Sequence, residues 1–166
     1  YKVEDHTFGE WTVVEEATYA KPGKEQSTCE ICNYVGTKTI AMLTVKDEAS
    51  FKAALAEEDV TKIKIYGDFA FNAPITISRD ITIDLNGHAI TSQGTSTKGK
   101  IIINGANVEF TDSSYSKKGS YSYTGSDTNP RLFDVQSGKL TINKGTYRLD
   151  AQSRGGSAVY LAAGAQ

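Results

Sequence analysis

The chain has 166 residues, a formal net charge of −2 and a pI near 5.7. That balance speaks against nucleic acid as an electrostatic partner. The longest apolar runs span only a few residues, so no membrane insertion is expected from this stretch. The length allows one domain, or a small one followed by a larger one. Tyr1 stands where a Met would begin a chain, so a removed leader and excision from a longer protein are both open.

Residues 1–43 read as a small module of their own. They hold both cysteines and the only Trp, in the pattern His6, Trp11, Cys29-Glu-Ile-Cys32 and Gly36. Short strands are predicted at Trp11–Val14 and Thr37–Leu43, with a turn at Lys21-Pro-Gly23 between them. So few apolar residues cannot build an independent core, and domains this small usually need a metal or a disulfide. The Cys-x-x-Cys spacing suits zinc, with His6 as a third ligand and Asp5, Glu4, water or nothing in the fourth position. A Cys29–Cys32 disulfide and free thiols are the alternatives. A catalytic redox role lacks its helix-start, βαβ context. Trp11 plugs a tiny core or, if exposed, stacks on a sugar ring.

From residue 44 onward the pattern changes. Asp47 is placed as the N-cap of a helix whose Phe51, Ala54 and Leu55 fall on one stripe. Such a helix would close the end of a stacked core. Ile63-Lys-Ile65 then opens a series of short strands that alternate apolar and polar residues, with Phe69, Phe71 and Ile75 continuing the inward face and Pro74 at a corner. The series repeats. Ile101, Ile103, Val108 and Phe110 map onto Phe133, Val135, Leu140 and Ile142 at one offset of 32 residues. Phe133 and Val135 map onto Val159 and Leu161 at 26, and Ile81 and Ile83 onto Val108 and Phe110 at 27. Periods of this size, with short strands and no helices between them, indicate a parallel β-solenoid. The stretch Ser113–Asn129, rich in Ser, Gly, Lys and Tyr, reads as an excursion from that coil. The last residues, Ala158 to Gln166, stop where another strand is due, so the chain is expected to be part of a longer protein with an unpaired final edge open to edge-to-edge self-association.

Ile81-Thr-Ile-Asp-Leu-Asn-Gly87-His-Ala-Ile90, after a short helix and a Gly-Asp-containing strand, resembles the opening of right-handed parallel β-helix proteins of the pectate-lyase-like superfamily. Gly138-Lys-Leu-Thr-Ile-Asn-Lys-Gly145-Thr-Tyr is similar to rungs of large surface proteins of Gram-positive gut bacteria. The His…Trp…Cys-x-x-Cys stretch resembles a small module of such proteins, whose members often carry a further Cys where this chain has Tyr19. The resemblance implies a secreted or cell-surface location for residues 44–166 and a fold shared by lyases, hydrolases and non-catalytic adhesins.

Enzymes of that fold hold calcium on acidic clusters beside a basic residue, or use paired aspartates. The corresponding residues here are Asp80, Asp84 and Asp112, with Arg79, Lys100, Arg131 and Arg148. They form no dense cluster in sequence and read as solvated turn formers. His88 has no evident partner. Tyr115, Tyr121 and Tyr123 in the excursion, with Trp11, are the aromatic candidates for sugar or protein recognition. The expected function is a non-catalytic, adhesin-like segment that binds or presents carbohydrate or a host surface. The alternative is the leading portion of a polysaccharide lyase or glycoside hydrolase, which alone would call for calcium.

Overall fold

The computed structural model describes residues 6–92, 101–125, 128–151 and 155–166. The chain divides into two compact units, Tyr1–Leu43 and Thr44–Gln166.

The first unit is an antiparallel sheet of β1 (Thr12–Glu15), β2 (Gly23–Thr28) and β3 (Val35–Ile40), in the order β1-β2-β3. Its central strand, Gly-Lys-Glu-Gln-Ser-Thr, carries no apolar alternation and is invisible to a period-two search. Nothing in this unit demands such alternation. Among its described residues the one buried apolar side chain is Cys29.

The second unit opens with the predicted helix, α1 (Glu48–Ala56). Asp47 caps it: the Ser50 amide donates to Asp47 Oδ1 at 2.7 Å, and Ser50 Oγ accepts from the Asp47 amide at 3.1 Å. Phe51 and Ala54 are buried and Leu55 is half-buried.

Twelve short strands follow. They are β4 (Lys62–Lys64), β5 (Phe69–Phe71), β6 (Ile75–Ile77), β7 (Ile81–Asp84), β8 (Ala89–Ser92), β9 (Ile101–Ile103), β10 (Ala106–Thr111), β11 (Ser120–Gly125), β12 (Arg131–Val135), β13 (Gly138–Ile142), β14 (Thr146–Ala151) and β15 (Ser157–Leu161). Each of β4 to β12 pairs in parallel with the strand three places further on, giving three four-stranded sheets ordered β13-β10-β7-β4, β14-β11-β8-β5 and β15-β12-β9-β6. This arrangement fits a β-helix-like solenoid of four turns. The repeat offsets are its registers. Ile81 pairs with Val108 and Val108 with Leu140, while Ile101 pairs with Phe133 and Phe133 with Val159.

The core runs along the inside of the three sheets. Ile63, Ile83, Phe110, Ile101, Phe133 and Leu85 are all buried. An aromatic column threads it: Phe51 of α1 meets Phe71 at 5.1 Å between ring centroids, Phe71 meets Tyr121 at 6.2 Å, and Tyr121 meets Phe133 at 5.4 Å. Phe51 therefore closes the core at the β4–β6 end. Two tethers hold the helix there. Glu48 accepts from the Asn72 side chain at 2.7 Å, and Arg79 donates to the carbonyls of Leu55 at 3.1 Å, Ala54 at 3.2 Å and Val60. At the opposite end the inward positions Ile142, Val159 and Leu161 are exposed, and β13, β14 and β15 each pair on one side only. Gln166 covers part of that edge, donating to Gly138 O at 3.0 Å and accepting from the Leu140 amide at 2.8 Å.

One expectation is overturned. Ser113–Asn129 is not wholly an excursion, because it contains β11, with Tyr121 and Tyr123 fully buried. Ser120-Tyr-Ser-Tyr-Thr alternates with period two like its neighbours, but its inward residues are tyrosines. Their phenol tips tolerate burial where a polar partner is near: Tyr121 Oη lies 3.3 Å from Ser92 Oγ.

Candidate functional site

The aspartates are spent on backbone. Asp84 ends β7 opposite Thr111 and Asp112 follows directly, so the parallel register brings the two, offset by one residue, to the same corner of the coil. Asp84 Oδ1 accepts from the amides of Asn86 at 3.1 Å and, one turn further on, Ser113 at 2.8 Å. Asp112 Oδ1 accepts from Ser114 at 3.0 Å and, one turn back, Gly87 at 2.9 Å, while its Oδ2 accepts from Gly119 at 2.8 Å. Each takes an amide of its own turn and one of the neighbouring turn, stitching the two together.

Both carboxylates are buried, not solvated as the sequence reading had them. Burial pushes the pKa of each upward, and hydrogen bonds, led by Ser113 for Asp84 and Ser114 for Asp112, outweigh it and hold both below the usual carboxylate value. Lys62 pairs with Asp84 Oδ2 at 3.2 Å. Asp80 is exposed, and it accepts from the amide and side chain of Asn107 at 2.7 and 3.0 Å.

The basic residues are likewise engaged. Arg79 clamps α1, Arg131 pairs with Asp134 at 3.0 Å and lies over the Tyr160 ring, and Arg148 pairs with Asp150 at 2.8 Å. His88 does have a partner, Asp68, at 3.0 Å. Asp68 also accepts from the Ala89 amide, and these two bonds lower its pKa. Lys100, Glu4 and Asp5 lie outside the described residues.

Of the aromatic candidates, Tyr115 alone is fully exposed. Tyr121 and Tyr123 are closed to a ligand by their place in the core. Trp11 is half-buried, with Lys38 Nζ over one ring face at 3.6 Å and Phe8 beside it at 5.1 Å.

A groove on the outer face of the β4-β7-β10-β13 sheet has no counterpart among the sequence expectations. It has a volume of about 450 Å³ and is lined by Thr61, Asp80, Thr82, Asn107, Glu109, Lys139 and Thr141 over Ile81 and Val108. The register aligns Thr82, Glu109 and Thr141 in one row and Asn107 with Lys139 in the next. Hydroxyl, amide, carboxylate and ammonium groups thus recur at the strand spacing of about 4.8 Å. Period-two alternation identifies these residues as outward. It cannot say that they share one concave face.

In the first unit the loop between β2 and β3 carries Cys29 and Cys32. Asn33, at φ 59°, turns it, and its amide donates to Cys29 O at 3.1 Å. Phe8 forms an antiparallel bridge with Cys29, and the Glu30 amide donates to Thr7 O at 3.0 Å. The Phe8 ring lies where any side chain at Gly36 would stand. This pairing delivers His6 to the loop, with its Nδ1 3.3 Å from Cys32 Sγ. His6 is also stacked on Tyr34 at 4.4 Å. Both cysteines are free thiols, Cys29 buried and Cys32 exposed. Hydrogen bonds from the backbone at Ile31 and Cys32 lower the Cys29 thiol to about 6.

Residues 42–153 match the model of a family described as a pectate lyase-like adhesive domain. No curated protein matches the chain, and no solved structure does.

Proposed function

The chain belongs to the pectate lyase-like adhesive domain family, and from that premise we propose that residues 44–166 are a non-catalytic, adhesin-like segment of a secreted or cell-surface protein. Its coil is read as right-handed, the hand that parallel crossovers overwhelmingly take. Its ligand is carbohydrate, as a free polysaccharide or a host glycan, taken on the groove of the β4-β7-β10-β13 sheet. The observation that carries this reading is the groove itself. Its closely spaced hydroxyl, amide and charged groups complement sugar hydroxyls. Tyr115 offers a separate exposed ring for stacking. The non-catalytic part rests on the aspartates, since Asp84 and Asp112 direct their oxygens to amides that stitch the coil.

The test is a panel of pectins and host glycans scored for both retention and product release. Retention without release, weakened about 10-fold or more by Asn107→Ala with Lys139→Ala, is the expected result. Release of unsaturated or reducing ends would replace this reading with a lyase or hydrolase. Retention that survives the double substitution but fails in Tyr115→Ala would move the site to the loop.

A further inference from the structure

We propose that His6, Cys29 and Cys32 form a zinc-class metal site that holds the first unit together. The site lies outside the family-matched residues and stands independently of the glycan reading. The ligand atoms of the three residues all lie within 4.8 Å of one another. In a tetrahedral zinc site, bond lengths of about 2.3 Å to sulfur and about 2.05 Å to nitrogen put a thiolate and an imidazole about 3.6 Å apart, and two thiolates about 3.8 Å apart. The observed 3.3 Å between His6 Nδ1 and Cys32 Sγ is already close to that span. Cys29 Sγ needs a shift of no more than about 1 Å to complete the set.

The surroundings match the chemistry. Tyr34 stacks on His6 and fixes its ring plane, and the Phe8–Cys29 bridge fixes its approach. Two sulfurs and one imidazole nitrogen select a soft to borderline cation over calcium or magnesium. Among the described residues no other His, Cys, Asp or Glu joins the group.

The structure also supplies the need. Cys29 is the sole fully buried apolar residue described in this unit, and beside it Phe8 and Trp11 are half-buried against one another, so hydrophobic burial contributes little to holding the sheet. A cation joining the start of the chain to the β2–β3 loop would supply the missing closure, and its binding energy would become folding energy.

The experiment uses the full chain, reduced and stripped of metal, titrated with Co²⁺ and then Zn²⁺. We expect one cation per chain, a thiolate-to-cobalt charge-transfer band that zinc abolishes, and a rise in amide protection confined to residues 6–40. Cys32→Ser should weaken zinc binding by at least ~100-fold, beyond the ~10–100-fold that follows loss of a ligand's own hydrogen-bond partner. Lys38→Ala, which keeps all three ligands, should retain the full stoichiometry. A reduced wild-type chain that takes up no cobalt overturns the proposal, and melting that responds to reductant alone would assign the pair to a disulfide. Unchanged affinity in Cys32→Ser overturns it equally.

Discussion

Replacing Asp112 with Ala separates a structural carboxylate from a catalytic one. The substitution removes three hydrogen bonds to a charged acceptor, from the amides of Gly87, Ser114 and Gly119. Gly119 is buried, so its orphaned amide incurs most of the ~1–3 kcal/mol desolvation cost, whereas the half-buried Gly87 and Ser114 recover part of theirs from water. The sum is about 3–4 kcal/mol, a large share of the ~5–15 kcal/mol that holds a typical domain. It should lower Tm by roughly 10–15 °C. Urea and thermal unfolding followed by circular dichroism would measure it, with an unchanged m-value showing that the folded state is the same.

The pH dependence has a definite sign. The folded-state pKa of Asp112 is depressed, so its contribution is complete above the unfolded value of about 3.9 and disappears as pH falls through the folded one. The wild-type advantage over Asp112→Ala should therefore be constant near neutrality and shrink below about pH 4. A variant as stable as wild type that has lost a calcium-dependent activity would refute the structural assignment. The same logic makes Asp84→Ala destabilising, which the loss of a solvated turn former would not be.

Arg79→Met should detach the cap, costing about 2–4 kcal/mol for three carbonyls left without their charged donor, and hydrogen exchange should speed up first in residues 48–60. Tyr121→Ala should cost about 3–5 kcal/mol through loss of its core contacts, while Tyr115→Ala should leave the melting curve unchanged; equal effects would contradict the burial of β11. Gly138→Ala sets a Cβ against the Ala106 carbonyl at φ 88°, and should destabilise the β10–β13 pairing by at least ~2 kcal/mol in equilibrium unfolding. If the β13–β15 edge mediates self-association, Leu161→Lys should abolish concentration-dependent sedimentation without lowering Tm.

The repeat offsets were legible because stacking is nearly one-dimensional. When each turn contacts only its neighbours, a constant spacing of inward Ile, Val, Leu and Phe is the register itself, and the pairs from Ile81 to Leu161 follow from counting. The helix was legible for a local reason, since Asp47 and the Phe51–Ala54 stripe lie within a few residues of one another.

What escaped depends on partners 20 or more residues away. Asp84 looks like any turn aspartate until the next turn brings the Ser113 amide to it, and Arg79 looks like a surface charge until α1 presents its last carbonyls. The inward turn of Tyr121 needed Ser92 beside its phenol oxygen. The sequence by itself determined the period and the apolar strands of the coil, and it singled out the Cys29–Cys32 pair. Only the tertiary structure decided which polar groups are buried, that His6 reaches Cys32, and that outward residues of successive turns line one groove. Apolar burial follows a pattern written along the chain, whereas hydrogen bonds and ligand sets are satisfied by whatever folding brings within about 3 Å.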